Sequence, residues 1–113
     1  MSDAEKRDTV IIGGGPGGYV AAIRAAELGQ SVTVIEKNKL GGVCLNVGCV
    51  PSKALINAGH RFQEASDAST FGITTQAPSI DFSKTQEWKQ KKVVERMTGG
   101  VTMLLKKHKV DVI

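Results

Sequence analysis

The run Gly13-Gly14-Gly15-Pro16-Gly17-Gly18 constrains the fold of this chain more than any other stretch. Before it, Asp8 to Ile12 is a short β-rich run without alternation, as suits a parallel strand covered on both faces. After it, Tyr19 to Leu28 is an alanine-rich helix closed by Gly29, and Ser31 to Glu36 reads as a second strand. Strand, glycine turn, helix and strand make a βαβ unit, whose crossover is expected to be right-handed. The fold class that follows is α/β with a parallel sheet.

Gly13, Gly15 and Gly18 fit the spacing G-x-G-x-x-G, and each has its own reason. Gly13 lets the chain turn off the strand, Gly15 lets backbone approach a pyrophosphate, and Gly18 lets the helix lie close on the strand. Phosphate would meet the helix N-terminus, where free N–H groups and the dipole favour an anion. Glu36 closes the second strand, where a carboxylate can accept hydrogen bonds from ribose hydroxyls. With a strand before it, a helix after it and an acid at this distance, the fingerprint reads as a Rossmann-like dinucleotide site. An acid at Glu36 disfavours a 2′-phosphate, which leaves FAD or NAD.

Both cysteines lie in the next block, Gly41 to Leu55, at Cys44 and Cys49. Four residues between two thiols allow a small disulfide ring if the backbone bends, and Gly48 permits the bend. Pro51 suits the first turn of a helix, so Cys49 is expected at a helix N-terminus, where the dipole favours a thiolate. A dithiol of this kind needs a partner that moves two electrons, and flavin supplies that chemistry, so FAD is favoured over NAD as the bound nucleotide. Lys53 falls in the same first turn. Its stem either covers apolar surface, or its charge is held near the flavin or the sulfurs.

From Ser52 to about Ala65 the apolar positions Leu55, Ala58, Phe62 and Ala65 mark a helix face directed at the core. Asp67 to Ser79 reads as a connection, with Phe71-Gly72-Ile73 a short extended piece. Asp81 or Ser83 then caps a helix to about His108, with a stripe of Val94, Met97, Val101, Leu104 and Leu105. Gly99-Gly100 inside it either admits a close neighbour or marks a bend. Val110 to Ile113 begins a third β-like run. A strand ending at the last residue has no covering helix, so the 113 residues read as an incomplete domain.

Eight of the fifteen basic residues (Lys84, Lys89, Lys91, Lys92, Arg96, Lys106, Lys107 and Lys109) fall in the last third. They belong on the solvated face of the long helix, and no aromatic residues interleave to stack on bases, so nucleic acid is not an expected partner. Cys44, Cys49 and the distant His60 and His108 are too few ligands for zinc, and no metal is expected. No run approaches the roughly 20 apolar residues of a membrane helix, and the start lacks an apolar leader core. No membrane partner is expected, and a cytoplasmic protein is.

Three stretches carry a family resemblance: Ile12 to Ala22, Ile35-Glu36-Lys37, and Gly41 to Leu55. Together, with Met-Thr-Gly-Gly-Val in the late helix, they resemble the dihydrolipoamide dehydrogenases of the flavoprotein disulfide reductase family, over nearly the whole chain. Glutathione reductases are similar but typically have a second lysine where Ser52 stands; mercuric reductases can share the Pro-Ser-Lys ending. A small autonomous nucleotide-binding or thiol-redox module is a further alternative. The resemblance implies that residues 1–113 are the N-terminal part of an FAD-binding domain. It implies oxidation of dihydrolipoamide by a redox-active disulfide, with FAD as cofactor and NAD as co-substrate. Cys44 would exchange with lipoamide, Cys49 would lie beside the flavin in the charge-transfer pair, and Lys53 near flavin N5. Gly13, Gly15, Pro16, Gly17 and Gly18 would hold the pyrophosphate, Glu36 and Lys37 the adenosine ribose, and Gly41, Gly42, Val43 and Cys44 the flavin side. The implied partners are a second copy of the full-length chain and the lipoyl-bearing acyltransferase of 2-oxo acid dehydrogenase complexes. Family members carry further NAD and dimerisation domains, with a catalytic His-Glu pair that neither His60 nor His108 matches, so this stretch alone is expected to be inactive.

Overall fold

A computed structural model describes residues 4–113; Met1 to Asp3, part of the start read above, lie outside the described residues. Strand β1 (Thr9–Ile12) leads through the glycine turn into helix α1 (Pro16–Glu27), which returns the chain to strand β2 (Val32–Ile35). Two helices follow, the short α2 (Gly42–Asn46) and the long α3 (Cys49–Ser66). After a 3₁₀ turn (Ala68–Phe71) and an irregular segment, α4 (Phe82–Trp88), a π-helical stretch (Lys89–Val94) and α5 (Glu95–Lys107) run end to end into β3 (Asp111–Val112). The sheet is parallel with β2 in the middle: Thr9 pairs with Val32, Ile12 with Ile35, Thr33 with Asp111 and Val34 with Val112. The expected α/β class and parallel βαβ unit are what the structure shows.

The core gathers where the sheet meets three helices. Val32 and Val34 of β2 pack with Ala22 of α1, Leu45 of α2, Val101 and Leu105 of α5, and Val110. Arg7 ties the start of the sheet together, donating to Thr33 Oγ1 at 2.9 Å and pairing with Asp111 at 2.7 Å. Asp81 caps α4, its carboxylate accepting from the backbone N–H groups of Ser83 and Lys84. That satisfies donors an open helix start leaves over.

Five expectations change. Strand β1 is not covered on both faces: Val10 and Ile12 are 54% and 87% exposed, because the packed helices lie on the opposite side, behind Ile11. The stripe on α3 is only its less exposed face, with Phe62 exposed, since the far half of that helix projects beyond the sheet. Phe71-Gly72-Ile73 is not extended; Phe71 closes the 3₁₀ turn and Gly72, at φ 74°, ends it. In the long helix Val94, Val101 and Leu105 are buried, but Met97 and Leu104 face outward. The helix continues through Gly99-Gly100, and no heavy atom approaches within 4 Å of where either Cβ would sit. The irregularity falls instead at Lys89–Val94.

These projecting helices give the molecule extents of 72 × 27 × 18 Å and 8351 Å² of exposed surface. A folded monomer of this mass exposes about 6,000 Å². Much of the excess is apolar, on the free face of β1 and along α3 and α4. Among the described residues no helix is long and apolar enough to cross a membrane.

Candidate active site

The glycine turn is fixed by geometry at two of its residues. Gly13 has φ 108°, a conformation L side chains avoid. At Gly18 an added Cβ would fall 1.8 Å from the Gly13 carbonyl oxygen, so helix α1 can lie on the turn only with glycine there. Gly15 differs: its φ is −77°, and its nearest would-be contact, 3.9 Å, is ordinary. Its backbone passes instead against Gly42, whose Cβ would meet the Gly15 Cα at 2.8 Å. The turn and the entrance to the cysteine block, far apart in sequence, are therefore in backbone contact.

Hydrogen bonds lock that contact. The N–H of Gly13 donates to the Ile35 carbonyl at 2.8 Å, and the N–H of Gly41 donates to the Gly14 carbonyl at 2.8 Å. Glu36 completes the lacing. Its Oε2 accepts from the Gly14 N–H at 2.7 Å and its Oε1 from the Asn38 N–H at 2.9 Å. The Gly14 bond, followed by the Asn38 bond, holds the Glu36 carboxyl below its ordinary value of 4.5. A carboxylate with a lowered folded-state value stabilises above its unfolded value, and that contribution is lost as pH falls through the folded one. Urea unfolding of wild type and Glu36→Gln should therefore differ most above the ordinary value of 4.5, and the gap should close as pH falls below it. A gap independent of pH would remove the carboxylate from this lock.

The cysteines sit on consecutive helices. Cys44 is in α2, Cys49 is the first residue of α3, and Val47-Gly48 turns the chain between them. At Gly48 a Cβ would press on the Val43 carbonyl oxygen at 3.0 Å. Pro51 is in the first turn, as expected, and the helix starts three residues earlier than the apolar pattern suggests. Both cysteines are free thiols. The Cys44 thiol is raised, chiefly by its hydrogen bond with Cys49 and then by desolvation, while the charge of the exposed Lys53 works the other way. Lys53 is thus near enough to Cys44 to act on it. Cys49 is exposed and Cys44 half-buried, because Cys44 lies against the core and Cys49 opens a helix.

Beside this cluster a groove of about 530 Å³ is lined by Glu36, Lys37, Asn38, Lys39, Gly42, Val43, Asn46, Val47 and Gln90. It unites residues expected at the adenosine ribose with residues expected on the flavin side. A second groove of about 530 Å³ lies between α3 and α4, around Phe62, Ile80 and Trp88, and holds none of the expected site residues. Three contributors escaped the sequence reading. Gly14 is an unspecified position in the fingerprint, yet it bonds Glu36, and its Cβ would meet Leu40 at 2.8 Å. Asn46 donates from Nδ2 to the carbonyls of Leu40 and Gly42, bracing the turn into α2. Gln90 carries no local sequence signal.

A family model for the pyridine nucleotide-disulphide oxidoreductases matches residues 7–113. The chain belongs to that family. Among curated relatives, dihydrolipoyl dehydrogenase of Bacillus subtilis (strain 168) is 65% identical over 106 residues, 94% of this chain and 22% of the relative. The dihydrolipoyl dehydrogenase of Geobacillus stearothermophilus is 57% identical over 110 residues, 97% of this chain and 23% of the relative. That of Pseudomonas aeruginosa is 54% identical over 116 residues, spanning 100% of this chain and 25% of the relative. The chain therefore spans about a quarter or less of the relatives' length.

Proposed function

We propose that this chain is the FAD-binding, dithiol-bearing part of a dihydrolipoamide dehydrogenase, with NAD as final electron acceptor. The observation that carries the reading is the convergence of fingerprint and cysteine block at the Gly15–Gly42 contact. It is supported by 65% identity to a dihydrolipoyl dehydrogenase. The residues fit a dinucleotide. Gly15 has no side chain to cap α1, no acidic residue stands in its first turn, and a Cβ at Gly17 would meet open space. An uncapped helix start of this kind is an anion seat. Gly13, Gly15, Pro16, Gly17 and Gly18 would hold the diphosphate, Glu36 and Lys37 the adenosine ribose, and Gly41, Gly42 and Val43 the approach to the ring. Bound FAD would supply a two-electron carrier between the sulfur pair and a nicotinamide.

The chemistry assigned to the chain itself is thiol–disulfide exchange. In the oxidised enzyme one thiolate of dihydrolipoamide attacks Cys44 Sγ, forming a mixed disulfide and releasing Cys49 as thiolate. The second substrate thiolate then closes the lipoamide disulfide and releases Cys44, so two electrons pass to the cysteine pair. Cys49 would lie beside the cofactor, an assignment its exposure permits. The Lys53 charge would stabilise the anionic pair. The acid–base group for the substrate thiols, the nicotinamide site and the dimer contact would come from residues outside this stretch. The partner would be a lipoyl-bearing acyltransferase of a 2-oxo acid dehydrogenase complex, and the compartment the cytoplasm. The test is made on the full-length protein: it should carry a flavin absorbance and reduce NAD with dihydrolipoamide. A flavoprotein that ignores dihydrolipoamide but reduces glutathione disulfide or mercuric ion would replace this substrate assignment.

A further inference from the structure

We propose that Gln90 binds the cofactor, closing the groove over the adenosine diphosphate half with its side-chain amide. The inference rests on the FAD reading above and adds a residue that no motif marks. Every other residue of the groove wall comes from the segment between Glu36 and Val47; Gln90 alone arrives from a distant element.

The π-helical stretch explains how it gets there. Burial in α5 follows Val94, Val101 and Leu105, at regular helical spacing. Carried back from Val94 at about 3.6 residues per turn, that stripe would run through Gln90 or Lys91 and then Glu87. Instead, the half-buried positions are Val93, Lys89, Gln86 and Thr85, about one residue out of register, and Gln90 and Lys91 are exposed. The wider turn of Lys89–Val94 absorbs the difference. It lets both ends of the long helix pack while rotating Gln90 out of the packed stripe and into the groove wall. Such π-turns inside helices often coincide with functional sites.

The chemistry of the wall gives the amide a task. Both Glu36 oxygens already accept backbone N–H groups, and Lys37 and Lys39 offer only donors. Beside the amides of Asn38 and Asn46 on the near wall, Gln90 adds from the far side a neutral group that both donates and accepts, suited to a ribose hydroxyl or a purine edge. The same group would do little for a flavin that lacks adenosine.

Full-length protein stripped of flavin is titrated with FAD and separately with FMN, following flavin fluorescence. For Gln90→Leu the FAD dissociation constant should rise about tenfold, the order expected for one neutral hydrogen bond, with FMN binding unchanged. Gln90→Glu should weaken FAD further, and added salt should narrow that loss, since a negative charge is added to a site for an anionic cofactor. Wild-type FAD affinity in Gln90→Leu, or equal weakening of FAD and FMN, overturns the proposal. Wild-type protein that takes no FAD instead overturns the reading in the previous section, and this one with it.

Discussion

Replacing either cysteine by serine in the full-length protein should lower dihydrolipoamide-linked reduction of NAD by about three orders of magnitude or more, as expected when one member of a catalytic unit is removed. The two variants should nevertheless differ in spectrum. If Cys49 lies beside the flavin, two-electron reduction should produce a long-wavelength band that survives in Cys44→Ser and disappears in Cys49→Ser. On the proposed roles, losing Cys44 would remove the exchanging sulfur and leave the one beside the ring. The reverse pattern of bands would exchange the two roles, in line with the greater exposure of Cys49 in this chain. Turnover near the wild-type rate in both variants would end the dithiol mechanism altogether.

The parts of this site legible in the sequence are those where one residue type alone satisfies a local constraint. Gly13 needs a positive φ, Gly18 needs the absence of a Cβ, and Pro51 suits a helix's first turn; each is readable because its reason is local or nearly so. Glu36 was legible as an acid at the right distance, but its bonds to Gly14 and Asn38 were not, since they depend on how the segment after β2 folds back. Helix α2 and the bracing by Asn46 belong to five residues stabilised by their contact with the turn, not by their own periodicity. The bare face of β1 escaped for a related reason. An unbroken apolar run says a strand can be covered on both sides, not that these residues supply the cover. Gln90 lies furthest from legibility, because it enters the groove through a register shift that only two competing packing surfaces create.

Gly18→Ala should be the most damaging single-methyl change in the glycine turn, costing about 3 kcal/mol or more in denaturant unfolding. The methyl would overlap the Gly13 carbonyl oxygen, a backbone atom that no rotamer change can move aside. Relief requires lifting α1 off the turn or rotating the Gly13 peptide. Either motion strains the bond from the Gly13 N–H to Ile35 and, through Gly14, the bonds to Glu36 and Gly41. Stability and flavin retention should therefore fall together. Gly29→Ala is the matched control: its φ is 88°, but its Cβ would meet nothing within 4 Å. It should cost only about 1 kcal/mol, the backbone penalty of a left-handed residue, and leave flavin in place. Equal damage in the two variants would mean that glycine is needed in this unit only for backbone freedom. The predicted separation would instead assign Gly18 to the close approach of helix and turn, the contact that would present the uncapped start of α1 to the proposed diphosphate.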